Sequence, residues 1–256
     1  MAHPGTLHRY TSGLVAFEHS PSPAPPNASS PTNTLLFIGG LGDGLLTVHY
    51  PATLAAALPP HWSLAEVLLS SSYKGWGTGS LARDAREIAE CVRYFRGRRP
   101  GGKVVCLGHS TGCQGVVEMV VRGGAGGVAI DGAILQGGVS DREAWADMSG
   151  QPAVDALVAT TTALIAQGRG DAILPDKEIG HNAIVQGFDA PVSASRAHAL
   201  LAFRGADDYF SSDLSDDVLR ATLGCFPATT HVLFLLGERD PYVPEHVDKA
   251  ALLGRW

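Results

Sequence analysis

The sequence has 256 residues, of which 45% are hydrophobic and 17% are charged, and its formal net charge is −6. A chain of this length and composition can bury one sizeable core, so we expect a single domain over residues 1–256. The acidic balance, with no Lys/Arg run longer than Arg98-Arg99, argues against nucleic acid as a partner.

The N-terminal residues Met1–Tyr10 are polar, and no apolar stretch approaches the ~20 residues that a membrane helix needs. We therefore expect a cytoplasmic protein with no membrane association. The stretch 20–33 is rich in Pro, Ser, Ala and Asn, which predicts an exposed loop. The four cysteines include no C-x-x-C pair, which indicates reduced structural thiols.

Short apolar runs predict the buried strands of a sheet. Apolar residues between Leu81 and Phe95 recur at three- and four-residue spacing, and Ser80 precedes them as a helix cap, so this stretch predicts an amphipathic helix. Alternating strands and helices predict a mostly parallel α/β sheet flanked by helices, with its active site in the loops that follow the strands. The predicted strands are Leu14–Phe17, Thr34–Ile38, Leu64–Leu69, Val104–Leu107, Ala133–Leu135 and Val232–Leu236.

An aromatic and basic cluster follows the predicted strand Leu64–Leu69. Tyr73, Lys74 and Trp76 lie in the next loop, where they are candidates to line a substrate pocket with an aromatic wall. The alternative interpretation is a packed loop in which glycines set the turns. Both interpretations stay open at this point.

The pentapeptide Gly108-His109-Ser110-Thr111-Gly112 fits G-x-S-x-G, the sharp strand-to-helix turn that exposes a nucleophilic serine. Glycine occupies 31 positions of the chain, so the pentapeptide alone is weak evidence. A predicted strand precedes it, however, and Val116, Val117 and Val120 predict a helix after it. We therefore predict that Ser110 is the nucleophile and that His109 has a packed, structural role. The alternative is a glycine-rich phosphate-binding loop, but the lysine of a P-loop is absent.

A nucleophilic serine that attacks an acyl group needs two backbone N–H groups to stabilise the oxyanion. Thr111, directly after the nucleophile, is the first predicted donor. The second is Leu41, in the glycine-rich stretch Gly39–Gly44 that follows the strand Thr34–Ile38. An ordinary turn is the alternative interpretation of these glycines.

The segment of about 140–227 interrupts the alternation of strands and helices, and we predict that it is a helical cap insertion. Within it, residues 155–167 have a helical pattern, whereas residues 205–217 are acidic and rich in turn formers. The irregular spacing of the acidic residues favours helix caps and a solvated face over a metal site. We therefore expect no metal and no cofactor. The acidic residues concerned are Asp207, Asp208, Asp213, Asp216 and Asp217.

Asp240 follows the last predicted strand, Val232–Leu236, and this order along the chain predicts that it is the acid of a Ser-His-Asp triad. A turn-forming aspartate before proline is the alternative interpretation. His246 follows Asp240 and is a candidate base, since six extended residues span up to about 20 Å. We expect it in a helix after the acid loop. We also expect the usual C-terminal strand and helix, with the histidine they carry, to lie outside these 256 residues.

Four stretches of the chain resemble the signatures of the fungal siderophore-esterase family. The resemblance implies an α/β-hydrolase fold, a cytosolic location and hydrolysis of ester bonds in hydroxamate siderophores of the fusarinine type. It places Ser110 and Asp240 at the positions of the nucleophile and the acid, and it gives the family's C-terminal histidine no counterpart here. The four stretches are Phe37–Val48, Ser71–Leu81, Gly108–Gln114 and Asp207–Leu214.

The leading hypothesis is therefore an esterase for a small-molecule ester, with a ferric siderophore as the candidate substrate. A ligand-binding homologue that lacks the base is the second hypothesis, and an acyltransferase on the same scaffold is the third. The sequence pattern carries no indication of the oligomeric state.

Overall fold

The computed structural model of the chain describes residues 2–20, 30–123, 127–174, 184, 187 and 189–256. Most of the predicted loop 20–33 therefore lies outside the described residues. The described strands are β1 Gly5–Arg9, β2 Val15–His19, β3 Asn33–Ile38, β4 Trp62–Val67, β5 Val104–His109, β6 Gly132–Gln136 and β7 His231–Leu235.

The strands form one seven-stranded sheet in the order β1-β2-β4-β3-β5-β6-β7. Strands β4, β3, β5, β6 and β7 pair in parallel, whereas β1 and β2 pair antiparallel to each other and β2 pairs antiparallel to β4. This arrangement confirms the predicted mostly parallel α/β sheet. Strand β1 was not predicted, because it buries His8 alone and so lacks an apolar pattern.

Helices cover both faces of the sheet, which is why its central strands read as continuous apolar runs. Successive residues of β3 point to opposite faces. Leu36 and Ile38 belong to the core shared with α2 (Leu81–Arg98) and α3 (Gly112–Gly123). Leu35 and Phe37 belong to the core that includes residues of α1 (Tyr50–Ala57).

Helix α2 begins where the sequence predicts it. The hydroxyl of Ser80 accepts a hydrogen bond of 3.3 Å from the Arg83 amide, which satisfies one of the free N–H groups of the first turn. The predicted apolar stripe, including Ile88, Val92 and Phe95, is fully buried. The helix prediction is confirmed.

The segment between β6 and β7 contains helices α4 (Asp141–Ser149), α5 (Gln151–Ala166), α6 (Ala194–Leu201) and α7 (Asp216–Thr222). Helices α4, α5 and α6 pack against one another and form a core that includes Trp76 from the loop after β4. This second core joins the predicted cap region to the carboxyl end of the sheet.

The chain ends in helix α8 (Lys249–Arg255), after which the ring of Trp256 packs 5.3 Å from Phe210 and 5.7 Å from Phe234. In the described part of the chain, β7 pairs with β6 alone, and its Leu233 is 49% exposed. No described helix is both long enough and apolar enough to cross a bilayer.

Candidate active site

Ser110 lies between the end of β5 and the start of α3, and its φ of +53° is in the left-handed region. Such a conformation costs a non-glycine residue about 1–2 kcal/mol. Backbone hydrogen bonds hold it: the Ser110 amide donates to the Gln136 carbonyl and the Cys113 amide donates to the Ser110 carbonyl, both at 2.9 Å. This strained strand-turn-helix connection has the geometry of a nucleophile elbow.

The two glycines of the motif are required by close backbone contacts. A Cβ atom on Gly112 would lie 2.2 Å from the carbonyl oxygen of Ile38, and one on Gly108 would lie 2.7 Å from the backbone of Cys113. Neither contact can be relieved by turning a flexible side chain. Any side chain at these positions would push α3 away from the sheet and displace Ser110.

The glycine-rich loop after β3 approaches the nucleophile directly. A Cβ atom on Gly40 would lie 2.9 Å from the Cβ atom of Ser110. Within the described residues, the amides of Leu41 and Thr111 make no backbone hydrogen bond. Both residues line one cavity of about 30 Å³. The structure therefore brings the two predicted oxyanion donors together beside Ser110.

His109 is held on the sheet side of the elbow. Its Nδ1 lies 2.5 Å from Oε1 of Gln136, which also accepts a 3.2 Å hydrogen bond from the Tyr50 hydroxyl. The His109 ring stacks on Phe37 at a centroid distance of 6.1 Å. Burial raises the pKa of the Tyr50 hydroxyl. These contacts agree with a structural role for His109, and the sequence did not identify its partners Gln136 and Tyr50.

Asp240 lies in the loop after β7, at the carboxyl end of the sheet. A Cβ atom on Gly137, the residue after the Gln136 carbonyl that binds Ser110, would lie 3.6 Å from Oδ2 of Asp240. Oδ1 accepts a 3.0 Å hydrogen bond from the Tyr242 amide. The carboxylate is thus fixed next to the strand that neighbours the elbow.

His246 is exposed and lies in a turn, because α8 begins only at Lys249; the expectation that it lies in a helix is wrong. It lines an open cleft of about 770 Å³ together with Asp240. In the described structure, no hydrogen bond joins His246 to Asp240, and the Ser110 hydroxyl has no hydrogen-bonded histidine. The structure therefore brings the candidate base to the acid's cleft but not to the nucleophile.

The three predicted pocket residues occupy different environments. Trp76 is 4% exposed and lines the same cavity as Leu41 and Thr111. Tyr73 has a φ of +56° and is 47% exposed, with its ring packed over Gly44. Lys74 is exposed. Of the three, Trp76 is the one that lines the cavity shared by the two predicted oxyanion donors.

A buried ion pair lies beside the same cavity. Nη1 of Arg196, on α6, donates to both carboxylate oxygens of Asp207 at 2.7 Å, and Nε donates to the Trp76 carbonyl at 3.1 Å. Both residues are almost fully buried and line the cavity. The pair therefore connects the helices of the segment between β6 and β7 to the loop that carries Trp76.

The carboxyl groups of the buried Asp84 and the partly exposed Asp141 are near this pair. Burial raises the pKa of Asp84 to about 6, although a hydrogen bond from Ser71 and the charge of Arg196 oppose the shift. Burial and the negative charge of Asp207 raise the pKa of Asp141 to about 7. Oδ1 of Asp84 is buried without a hydrogen-bond partner, and Asp84 lines the cavity.

The prediction of a solvated acidic face is wrong for Asp207 and Asp208. Asp207 is 3% exposed, and the side chain of Asp208 is 1% exposed and lies 3.6 Å from Arg142. The prediction fits the others: Asp216 and Asp217 lie exposed in the first turn of α7, and Asp213 is exposed. Among the residues that the structure describes, no group of three or more His, Cys, Asp or Glu side chains is placed to hold a metal ion.

The sequence matches known proteins over its whole length. A family model described as a protein of unknown function, DUF1749, matches residues 1–256. A UPF0613 protein of Schizosaccharomyces pombe is 40% identical, with 100% of this chain and 83% of the relative covered. The fusarinine C esterase sidJ of Aspergillus fumigatus is 37% identical, with 99% of this chain and 82% of the relative covered.

Comparison with solved structures identifies the fold. The siderophore hydrolase EstB from Aspergillus fumigatus matches with a TM-score of 0.79 and 35% identity, over 100% of this chain and 83% of that chain. A carboxyl esterase from Bacillus coagulans matches with a TM-score of 0.63 at 16% identity, over 100% of this chain and 86% of that chain. The second likeness bears on the fold alone, which is that of the α/β-hydrolases.

Proposed function

The chain belongs to the DUF1749 family, and on that premise we propose that it is an ester hydrolase whose nucleophile is Ser110. The observation that carries the proposal is the strained φ of +53° at Ser110, which lies directly against Gly40 in the loop that carries Leu41. Strain of this kind persists where the surrounding structure enforces it, and it concentrates at functional sites.

The proposed reaction follows the acyl-enzyme route and needs no cofactor. The Ser110 hydroxyl loses its proton to a histidine base, and its oxygen forms a bond to the ester carbonyl carbon. The Leu41 and Thr111 amides stabilise the resulting oxyanion. The ester C–O bond then breaks, and the leaving alkoxide takes the proton from the base. A water molecule repeats the sequence on the acyl-enzyme and releases Ser110 and the acid.

The acid in this proposal is Asp240, which would orient the histidine and stabilise its charged form. His246 is the candidate base that the described residues offer, since it lines the same cleft as Asp240. In the absence of contact with Ser110, His246 would have to approach the nucleophile when substrate binds. Catalytic hydrogen bonds are often long in unliganded enzymes and shorten in the complex.

We propose carboxylic esters of hydroxamate siderophores as the substrates. The support is the 37% identity to a fusarinine C esterase and the 35% identity to a siderophore hydrolase, both over essentially the whole chain. The buried indole of Trp76 lines the cavity that the predicted oxyanion donors share, and it gives that side of the site an apolar surface. Iron would enter the site as part of the substrate.

One observation favours a second candidate function, that of a ligand-binding protein without turnover. The Ser110 hydroxyl has no hydrogen-bonded base among the described residues. A protein of this kind would keep the pocket and bind the same esters, but it would release them unchanged.

The proposal is tested by labelling with a fluorophosphonate probe and by assaying turnover of a fusarinine-type ester by mass spectrometry. The unsubstituted chain is compared with Ser110→Ala, His246→Ala and the control His61→Ala, which changes an exposed histidine far from the elbow in sequence. We expect labelling and turnover that Ser110→Ala abolishes and His61→Ala leaves unchanged. Binding of the ester with neither labelling nor turnover would establish the second function instead. Full activity in His246→Ala would remove His246 from the mechanism.

A further inference from the structure

The loop Gly39–Val48, which carries the predicted oxyanion donor Leu41, is shaped by the side chain of one of its own residues. Oδ2 of Asp43 accepts a 2.8 Å hydrogen bond from the Gly40 amide. The Thr47 hydroxyl lies 3.3 Å from the other carboxylate oxygen, and the Asp43 carbonyl accepts a 3.0 Å hydrogen bond from the Tyr73 amide. Asp43 therefore joins the start of the loop, its end and the neighbouring loop.

These bonds decide which amide is free to bind an oxyanion. The Asp43 amide donates to the Gly40 carbonyl at 3.1 Å and closes a four-residue turn, in which Gly42 has a φ of +81°. A positive φ at this position is typical of a type II turn. Since the Gly40 amide is already bound to the Asp43 carboxylate, the next amide along the turn, that of Leu41, remains available beside Ser110.

The loop does not fill all the space beneath it. A cavity of about 20 Å³ lies there, lined by Gly39, Gly40, Asp43 and the buried Glu66 among others. A space of this size holds about one water molecule. Glu66 supports the far end of the loop, where its carboxylate accepts a 2.7 Å hydrogen bond from the amide of Leu46. At the end of the loop near Ser110, the carboxylate of Asp43 holds the Gly40 amide.

We propose that Asp43 is a positioning residue that sets the oxyanion hole by holding the Gly40 amide and directing the Leu41 amide toward the oxyanion. The proposal rests on the proposed function, because the Leu41 amide has a task only if an oxyanion forms at Ser110. A displacement of about 1 Å in catalytic geometry is enough to cost about 100-fold in rate. The required property of Asp43 is the position of its acceptor oxygen, and its negative charge is dispensable.

Three substitutions separate position from charge. Asp43→Asn keeps an acceptor oxygen in place and removes the charge. Asp43→Glu keeps the charge and moves the acceptor by one methylene, and Asp43→Ala removes both. We expect kcat of the asparagine variant to stay within about threefold of the unsubstituted chain, and kcat of the glutamate and alanine variants to fall about 100-fold with little change in KM.

The experiment measures kcat and KM on a p-nitrophenyl ester, the affinity for phenylboronic acid, and the melting temperature. Phenylboronic acid adds to a serine oxygen and forms a tetrahedral anion, so its affinity should fall together with kcat. The control Asp217→Ala, at an exposed position of α7, should leave kcat, KM and the affinity for phenylboronic acid unchanged.

The outcomes distinguish failure of this inference from failure of the proposed function. No Ser110-dependent hydrolysis by the unsubstituted chain refutes the proposed function, and the role of Asp43 falls with it. If the unsubstituted chain is active, an active glutamate variant with an inactive asparagine variant refutes the inference, as does a folded alanine variant with full kcat. If the alanine variant does not fold, the asparagine and glutamate variants still decide.

Discussion

Replacing Arg196 should remove a large part of the free energy of unfolding. Its side chain is 4% exposed and makes two hydrogen bonds of 2.7 Å to Asp207, whose side chain is 1% exposed. Arg196→Leu leaves that carboxylate buried without its counter-ion, and losing one partner of a buried pair costs about 3–5 kcal/mol. The loss should be smaller at pH 5 than at pH 8, because Asp84 and Asp141 face the same arginine and their pKa values are raised to about 6 and about 7. At pH 5 both are mostly protonated and need its charge less.

The measurement is urea unfolding at both pH values, followed by tryptophan fluorescence and circular dichroism. The matched control is Arg220→Leu, which breaks a pair with Asp217 whose side chains are 71% and 88% exposed, and it should lose less than about 1 kcal/mol. The double variant Arg196→Leu/Asp207→Leu should be more stable than Arg196→Leu alone. A loss for Arg196→Leu no larger than that for Arg220→Leu would refute the assignment of a stabilising role to this pair.

Two further changes test the packing of the elbow and the buried carboxyl groups. Gly112→Ala should lower the free energy of unfolding by at least about 2 kcal/mol, because its Cβ would lie 2.2 Å from a backbone oxygen. The control is Gly97→Ala in α2, where no atom lies within 4 Å of the new Cβ, and it should raise the free energy of unfolding by about 0.5–1 kcal/mol. Equal effects of the two substitutions in urea unfolding would contradict the close-contact argument. Asp141 has a folded pKa of about 7 against about 3.9 when unfolded, so the native state binds the extra proton. Its contribution to stability is therefore present below pH 4 and is lost as the pH rises to about 7. Asp141→Asn should flatten the plot of unfolding free energy against pH between pH 4 and about pH 7. An unchanged slope would show that Asp141 does not cause this pH dependence.

The sheet and the elbow could be predicted because local patterns encode them. Apolar runs marked β3, β5 and β6 correctly, since a strand covered by helices on both faces is apolar throughout. The G-x-S-x-G motif predicted a turn that leaves no room for side chains at Gly108 and Gly112. Strand β1 was missed because it pairs at the sheet edge and buries a single histidine.

The polar framework of the site could not be predicted, because it joins residues far apart in the sequence. Arg196 and Asp207 give no local signal of burial, and their pairing depends on how α6 folds back on the loop that carries Trp76. The partners of His109 come from β6 and α1. The acidic composition around Asp207 indicated solvent exposure, whereas tertiary packing encloses this carboxylate. The catalytic roles of Ser110, Asp240 and His246 stay predictions that the proposed assays address.

The left-handed backbone conformation of Ser110 affects which residue selection would favour at position 110. Glycine adopts a φ of +53° without strain, so folding stability by itself would favour glycine at position 110. A protein that only bound its ligand would gain nothing from a residue that lowers folding stability at position 110. Selection would then act on this position through folding stability alone. Under the proposed function, the hydroxyl group of Ser110 is what keeps a serine at this position. Relatives that have lost turnover should be free to replace it.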